Sequence, residues 1–179
     1  MYEGSNSTAL QSKLAFGEAL VRLMKEKNYK DINVRILCFE ADMSRQTFYN
    51  LFNSMNEVLL NYLQEIYKKY FYEIVDDRIS IRDLIEVFSE FMSDYDELIS
   101  LIIDNNLTFV LQEAIYFGIS EVASHYADVE YKEYGTAFLS GALIAMVIHW
   151  IEDKDRLSID ELTGFLEKIF EGKYYRICK

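Results

Sequence analysis

The sequence predicts an all-α protein of about nine helices, and three observations carry that expectation. Proline is absent and the seven glycines are scattered, so nothing interrupts long helices or supplies the turns of a β sandwich. Apolar residues recur at helical spacing, as at Phe16, Ala19, Leu20, Leu23 and Met24, which fall at i, i+3, i+4, i+7 and i+8. With 179 residues, 51% of them hydrophobic, the chain is long enough for one large or two small domains with real cores.

In chain order, residues 1–7 read as a polar tail, with Ser7 or Thr8 placed to cap the first helix. That helix carries the Phe16 stripe and ends in the polar stretch 25–30. Asp31-Ile32-Asn33 leads into a short helix over 34–41. Ala41-Asp42-Met43 is a tight break, after which Ser44 is placed to cap a second short helix over 45–51. Asn53-Ser54 breaks the chain again. From Met55 a long helix runs to about residue 75, with Val58, Leu59, Tyr62, Ile66 and Tyr70 on one side. Residues 76–80 read as a hinge.

Beyond the hinge, 81–93 is amphipathic with Leu84, Ile85, Phe88, Phe91 and Met92 inward, and 97–103 continues helical. A long helix over 107–127 is expected to bend near Gly118. Residues 130–152 form the most apolar helix, followed by a loop at 153–156. Ser158 to Glu161 reads as a capping box that opens the last helix, with Leu162, Phe165, Leu166, Ile169 and Phe170 on its apolar face. Gly172 stops it. No internal repeat and no low-complexity segment is present.

The net charge of −12 is unusual for a nucleic-acid binder, but its distribution is uneven. Residues 1–75 carry nine basic and nine acidic side chains, whereas residues 76–179 carry nine basic and 21 acidic ones. A neutral head on an acidic body can touch phosphates locally, with low non-specific affinity. The two cysteines, Cys38 and Cys178, form no CxxC pair and suit a cytoplasmic chain with free thiols. The start MYEGSNSTAL lacks the basic-then-apolar pattern of a signal peptide. The longest apolar run, 137–151, has 15 residues and includes Ser140 and His149. A membrane span needs roughly 20, so a core or interface helix is expected instead, and no membrane partner.

The stretch VRILCFEADMSRQTFYNLF, residues 34–52, is the most specific feature. Helix, three-residue turn and polar-faced helix is the pattern of a helix-turn-helix DNA reader. On a helix that starts at Ser44, Phe48 and Phe52 lie four apart and pack inward with Leu51, Ile36, Leu37 and Met43. Arg45, Gln46, Tyr49 and Asn50 then face the opposite way. Arg and Gln suit the edges of guanine and adenine. The hydroxyls of Ser44, Thr47 and Tyr49 suit phosphate oxygens, and Arg35 is a further candidate for the backbone.

Residues 14–60 resemble the DNA-binding domain of the tetracycline-repressor (TetR) family. The resemblance is carried by Ala19-Leu20 with Leu23, by Ile32-Asn33-Val34, by the Ala41–Met43 turn and by Ser44-Arg45-Gln46-Thr47-Phe48-Tyr49. Phe52, three positions after the Thr-Phe-Tyr core, and Glu57-Val58-Leu59 complete it. The family usually has glycine where this chain has Asp42, and a phosphate-anchoring lysine where it has Met55, or Asn56 if the register slips by one. Backbone amides at the start of helix four are expected to hold a phosphate in its place.

Residues 138–162 resemble the last two helices of a subgroup of compact regulators, which pair with their copies in a dimer. The resemblance therefore implies a DNA-binding domain over 1–55 and a helical effector-binding and dimerisation domain over 56–179. It also implies a homodimer through the helices at about 130–152 and 158–171, and a palindromic double-stranded DNA operator. A small-molecule effector would be received among the second domain's aromatics, which serve equally well as helical core. A co-regulator that works through a protein partner, with weak or no DNA binding of its own, is the other reading.

Little points to catalysis. GxSxG, HExxH, Walker and dinucleotide motifs are absent from the sequence. Cys38, His125, His149 and Cys178 lack metal-ligand spacing. No cofactor is expected. The acidic clusters at 94–97 and 152–155 read as solvated helix ends.

Overall fold

A computed structural model of the chain describes residues 4–71, 80–124 and 130–172. Among these are nine α-helices, one 3₁₀ turn at Tyr29–Asp31, and no strand. The helices are α1 (Gly4–Glu26), α2 (Val34–Glu40), α3 (Arg45–Leu51), α4 (Met55–Phe71), α5 (Ile81–Asp94), α6 (Asp96–Asp104), α7 (Thr108–Ser124), α8 (Lys132–Glu152) and α9 (Ile159–Phe170). Four expected features lie outside the described residues: the continuation of α4 to 75, most of the hinge at 76–80, His125 with the end of the helix expected to reach 127, and Cys178.

Local chemistry sets most helix ends. Asn33, Ser44, Ser80 and Ser158 accept a backbone N–H from the first turns of α2, α3, α5 and α9. At Ser80 and Ser158 the third helical residue, Asp83 or Glu161, reaches back to the cap amide and closes a capping box. Those bonds hold both carboxyls below their ordinary pKa. Gly172, at φ +73°, follows the end of α9 as expected. Ser7 and Thr8, expected as caps, lie within α1, which begins at Gly4.

One hydrophobic core runs from α1 to α9. In it Phe16 of α1 meets Phe48 and Phe52 edge-on, with ring centroids 5.8 and 5.9 Å away. The α1 stripe is buried throughout. Helix α5 turns its expected face to the interior and buries two further residues beside it. Val87 and Ser89 are buried along with Ile85 and Met92, whereas Leu84, Phe88 and Phe91 are half-buried. The reason is twofold: α9 packs along α5, and the other three side chains line a cavity of about 280 Å³ among α4, α5, α7, α8 and α9.

The acids at 94–97 stand at helix ends, with Asp94 and Glu97 exposed as expected, and each also ties one element to another. Asp94 accepts the Tyr70 hydroxyl of α4. Asp96 takes the Arg156 guanidinium through both carboxylate oxygens, with Nη1 to Oδ1 at 2.9 Å. Glu97 pairs with Lys25 of α1 at 2.7 Å. Arg156 also lies over the Trp150 ring at 4.4 Å.

Helix α8 contains the 15-residue apolar run but extends to 21 residues, and is long and apolar enough to cross a membrane by length and composition. One face, with Thr136, Ser140, Ile144, Val147 and Trp150, is buried, and α7 is its main neighbour. The opposite face carries Tyr134, Phe138, Ala142, Ala145 and His149 and is exposed.

Helix α4 is seated by two close approaches. A Cβ on Gly17 of α1 would stand 2.4 Å from the Tyr62 ring, and one on Gly118 of α7 would stand 2.4 Å from the Tyr67 ring. Each glycine is thus a notch filled by a tyrosine of α4. Tyr67 also donates its hydroxyl to the Gly118 carbonyl at 2.7 Å. Helix α7 runs uninterrupted through Gly118, and the glycine serves this contact. Gly118→Ala should therefore destabilise the protein by about 1–3 kcal/mol through overpacking, read as a lower urea midpoint at unchanged m value. Tyr67→Ala combined with Gly118→Ala should lose less than the sum of the two single changes.

Candidate nucleic-acid interface

The helix-turn-helix is built by a specific backbone turn. After α2, Asp42 adopts the left-handed conformation at φ +53°. The Asp42 N–H donates to the Phe39 carbonyl at 3.2 Å, and the Met43 N–H to the Cys38 carbonyl at 2.9 Å. Those two bonds define a Schellman motif, which satisfies carbonyls that the end of α2 would otherwise orphan. Glycine is the usual occupant of this position. An Asp there carries a Cβ penalty of roughly 1–2 kcal/mol, which its short polar side chain softens. The chain repeats the device after α6, where Asn106 sits at φ +60°.

Met43 then leads to Ser44, whose Oγ accepts the Thr47 N–H at 3.0 Å and fixes the start of α3. Buried Phe48 and Phe52 hold the inner face of α3, while Leu51, Ile36 and Met43 pack partly buried around them. Arg45, Gln46, Tyr49 and Asn50 all emerge exposed on the outer face, as expected. Tyr49 is 64% exposed and braced edge-on by Phe48, with centroids 5.3 Å apart. Arg35 stands exposed in the first turn of α2. Among the described residues neither Arg35 nor Arg45 is drawn into an ion pair. Both charges therefore face solvent, poised for an anion.

Ser44 and Thr47 are less independent than their sequence positions imply. Their hydroxyls lie 2.9 Å apart and share one proton between them. Whichever donates, the pair retains a single hydroxyl proton for a phosphate oxygen. Cys38 is buried beneath the turn, and burial pushes its thiol pKa up against the opposing pull of Arg45. It is a small core residue there. Among the described residues no group of three His, Cys, Asp or Glu side chains is placed to hold a metal.

The start of α4 differs from expectation. Ser54 Oγ accepts the Glu57 N–H at 3.1 Å, and the Glu57 carboxylate accepts the Asn53 N–H at 2.7 Å. A phosphate approaching these amides meets a carboxylate already in place. Asn56 is occupied too, because its Oδ1 accepts the Tyr29 hydroxyl at 2.6 Å.

Tyr29 is a positioning residue that sequence reasoning missed. Its N–H donates to Asn105 Oδ1 at 2.8 Å, so one residue joins the turn before α2 to both the start of α4 and the end of α6. Burial pushes its phenol to about 12. The available signal was the Asn105-Asn106 pair, a helix C-cap composition. Phe39 was missed as well. It stands 89% exposed on α2, four residues after Arg35 and hence on the same side of the helix.

Asp42→Gly should preserve helical content and shift stability by less than about 1 kcal/mol, because relief of the left-handed strain is offset by the greater freedom of the unfolded chain. Asp42→Val should cost about 1–2 kcal/mol, since a β-branched residue tolerates that conformation worst. Chemical denaturation followed by circular dichroism reads both.

Two solved structures share this architecture. A dihydroxyacetone kinase operon activator, DhaS, matches with a TM-score of 0.61 over 90% of this chain and 95% of its own, at 17% identity. A TetR transcriptional regulator from Streptococcus agalactiae 2603V matches with a TM-score of 0.59 over 92% of this chain and 96% of its own, at 14% identity. No protein-family model matches the sequence, and no curated protein matches it. At such identities the likeness is one of fold, and it spans nearly the whole chain: the protein has the all-helical fold of TetR-type transcriptional regulators.

Proposed function

We propose that the protein is a sequence-specific, DNA-binding transcriptional regulator of the cytoplasm, without enzymatic activity, that reads a palindromic operator as a homodimer. The observation that carries this reading is the exposed outer face of α3, with Arg45, Gln46, Tyr49 and Asn50 presented together from a helix-turn-helix. In the major groove Arg45 and Gln46 would pair with base edges. Tyr49, Arg35 and the Ser44–Thr47 pair would hold the sugar-phosphate backbone. Residues 1–55 form the reading domain, and residues 56–179 the effector-binding and dimerisation domain.

The dimer is placed on α8 and α9. The exposed face of α8 is apolar, with Tyr134 79% and Phe138 74% exposed. Gly135 and Gly141 leave open space where a Cβ would stand, as does Gly164 of α9. Bulky anchors beside small residues let helices from a second copy approach closely, in the manner of a four-helix bundle. An effector in the second domain would act on α4, shift the spacing of the two heads and release DNA. Repression is the proposed sign. Because one similar structure is titled an operon activator, a reporter fused to the regulated promoter decides it: loss of a repressor raises expression, and loss of an activator lowers it.

A second reading is favoured by particular observations. Asp42 and Glu57 place carboxylates at the turn and at the start of α4, Met55 supplies no cation, and Phe39 is nearly fully exposed beside the motif. A co-regulator that docks a protein through this head would have these features.

A mobility-shift assay against the protein's own upstream DNA at low salt separates the two. The regulator reading expects a shifted band, with Arg45→Ala and Tyr49→Ala each weakening binding by about 1–3 kcal/mol, or roughly five- to 150-fold. No shift by the parent protein would favour the co-regulator. Binding that persists in both variants would remove the assignment of these residues.

A further inference from the structure

The cavity among α4, α5, α7, α8 and α9 has a volume of about 280 Å³, just under the ~300–1,000 Å³ of typical small-molecule sites. Every described residue on its wall is aliphatic or aromatic. Tyr67 brings the one hydroxyl among them, and that group is spent on the Gly118 carbonyl at 2.7 Å. Burial pushes the Tyr67 phenol up, which keeps it protonated and uncharged. Among the neighbouring charges Arg82 of α5 pairs with Glu167 of α9 at 3.0 Å and Lys68 of α4 with Glu65 at 2.7 Å, and the Glu121 carboxylate of α7 adds to the rise of the Tyr67 phenol and disfavours an anion. Ile81 is both on the wall and exposed, which sets the mouth at the start of α5. Water in such a space finds no hydrogen-bond partner, and an ion would lose its hydration without gaining a counter-charge.

We propose that this cavity receives one uncharged, apolar molecule per chain, a hydrocarbon chain or fused-ring hydrophobe, and rejects ions. The inference rests on the reading of residues 56–179 as a ligand-receiving domain. It deepens that reading by naming the ligand's chemistry. Leu84, Phe88 and Phe91 supply the recognition from α5, Ala114 marks the floor on α7, and Tyr67 brings α4 to the ligand.

The full-length protein is titrated, without DNA, with N-phenyl-1-naphthylamine and separately with 1-anilinonaphthalene-8-sulfonate, which adds a sulfonate to the same rings. The neutral dye should show a saturable fluorescence rise at about one site per chain, and the sulfonate should bind at least roughly tenfold more weakly. Ala114→Phe places a ring in the cavity and should weaken the neutral dye at least roughly tenfold. Ala123→Phe repeats the test from the half-buried end of α7, where an added ring strains the core less. Phe109→Ser, at an exposed ring of α7 off the cavity wall, should leave dye binding unchanged.

Equal affinity for the two dyes overturns the proposal. So does neutral-dye binding that survives both filled variants at unchanged helical circular dichroism, and so does binding lost in Phe109→Ser. Dye binding in a protein that never shifts DNA leaves the cavity assignment standing and removes the regulator reading. A DNA shift without dye binding does the reverse.

Discussion

The seating of α4 in two glycine notches is the contact on which the rest of the fold depends. Tyr62 fills the notch at Gly17 and Tyr67 the notch at Gly118. Five residues apart on a helix means about 7.5 Å along the axis and about 140° around it, so the two rings leave α4 in different directions and bind different helices. One faces α1, which carries the helix-turn-helix through Phe16. The other faces α7, which forms a wall of the cavity. Neither contact can shift without the other, because both rings are rooted in one hydrogen-bonded rod. Tyr29 adds a shorter tie at the start of α4 and the end of α6. Any event in the cavity that displaces Tyr67 therefore has a rigid path to α1 and α3.

Much of this architecture was legible because it follows from periodicity and capping, which are local. The α1 stripe, the inward Phe48 and Phe52, and the outer face of α3 all follow from a 3.6-residue period once Ser44 fixes the start of the helix. The Ser158 capping box and the Gly172 stop were equally readable. What escaped were features that depend on a second element arriving from far along the chain. Gly118 looked like a place for a bend because glycine lowers helix propensity, yet its use is to admit a tyrosine from 51 positions away. The inward face of α5 was legible, but not that Leu84, Phe88 and Phe91 on it would meet a cavity, nor that Val87 and Ser89 beside it would be buried. Asp94, Asp96 and Glu97 were legible as helix ends, but their partners, Tyr70, Arg156 and Lys25, were not, because they lie on other elements.

At the candidate interface the positions were legible and the electrostatics were less so. The sequence suggested that amides at the start of α4 would take over from the absent lysine. The Glu57 carboxylate stands there instead. Asp42 adds a second acid at the turn, kept in place by the Schellman bonds rather than by any role toward DNA. On the proposed reading each head would have few phosphate contacts to offer, and the non-specific part of its DNA affinity would be correspondingly small.

That weakness gives the exposed face of α8 its significance. A helix hydrophobic on all sides is ordinarily buried, and among the described residues α8 is covered on one side. In the proposed dimer the second copy covers the other side, and the two heads become linked. A linked pair gains through effective concentration what each head lacks in charge, because the second half-site is met as an intramolecular event. The gain requires that the heads keep a fixed separation, which returns the burden to α4: a rod that pivoted freely at Gly17 or Gly118 would dissipate it. An apolar ligand pressing on Tyr67 would then need only to tilt that rod, without unfolding anything, to cost the protein its second half-site.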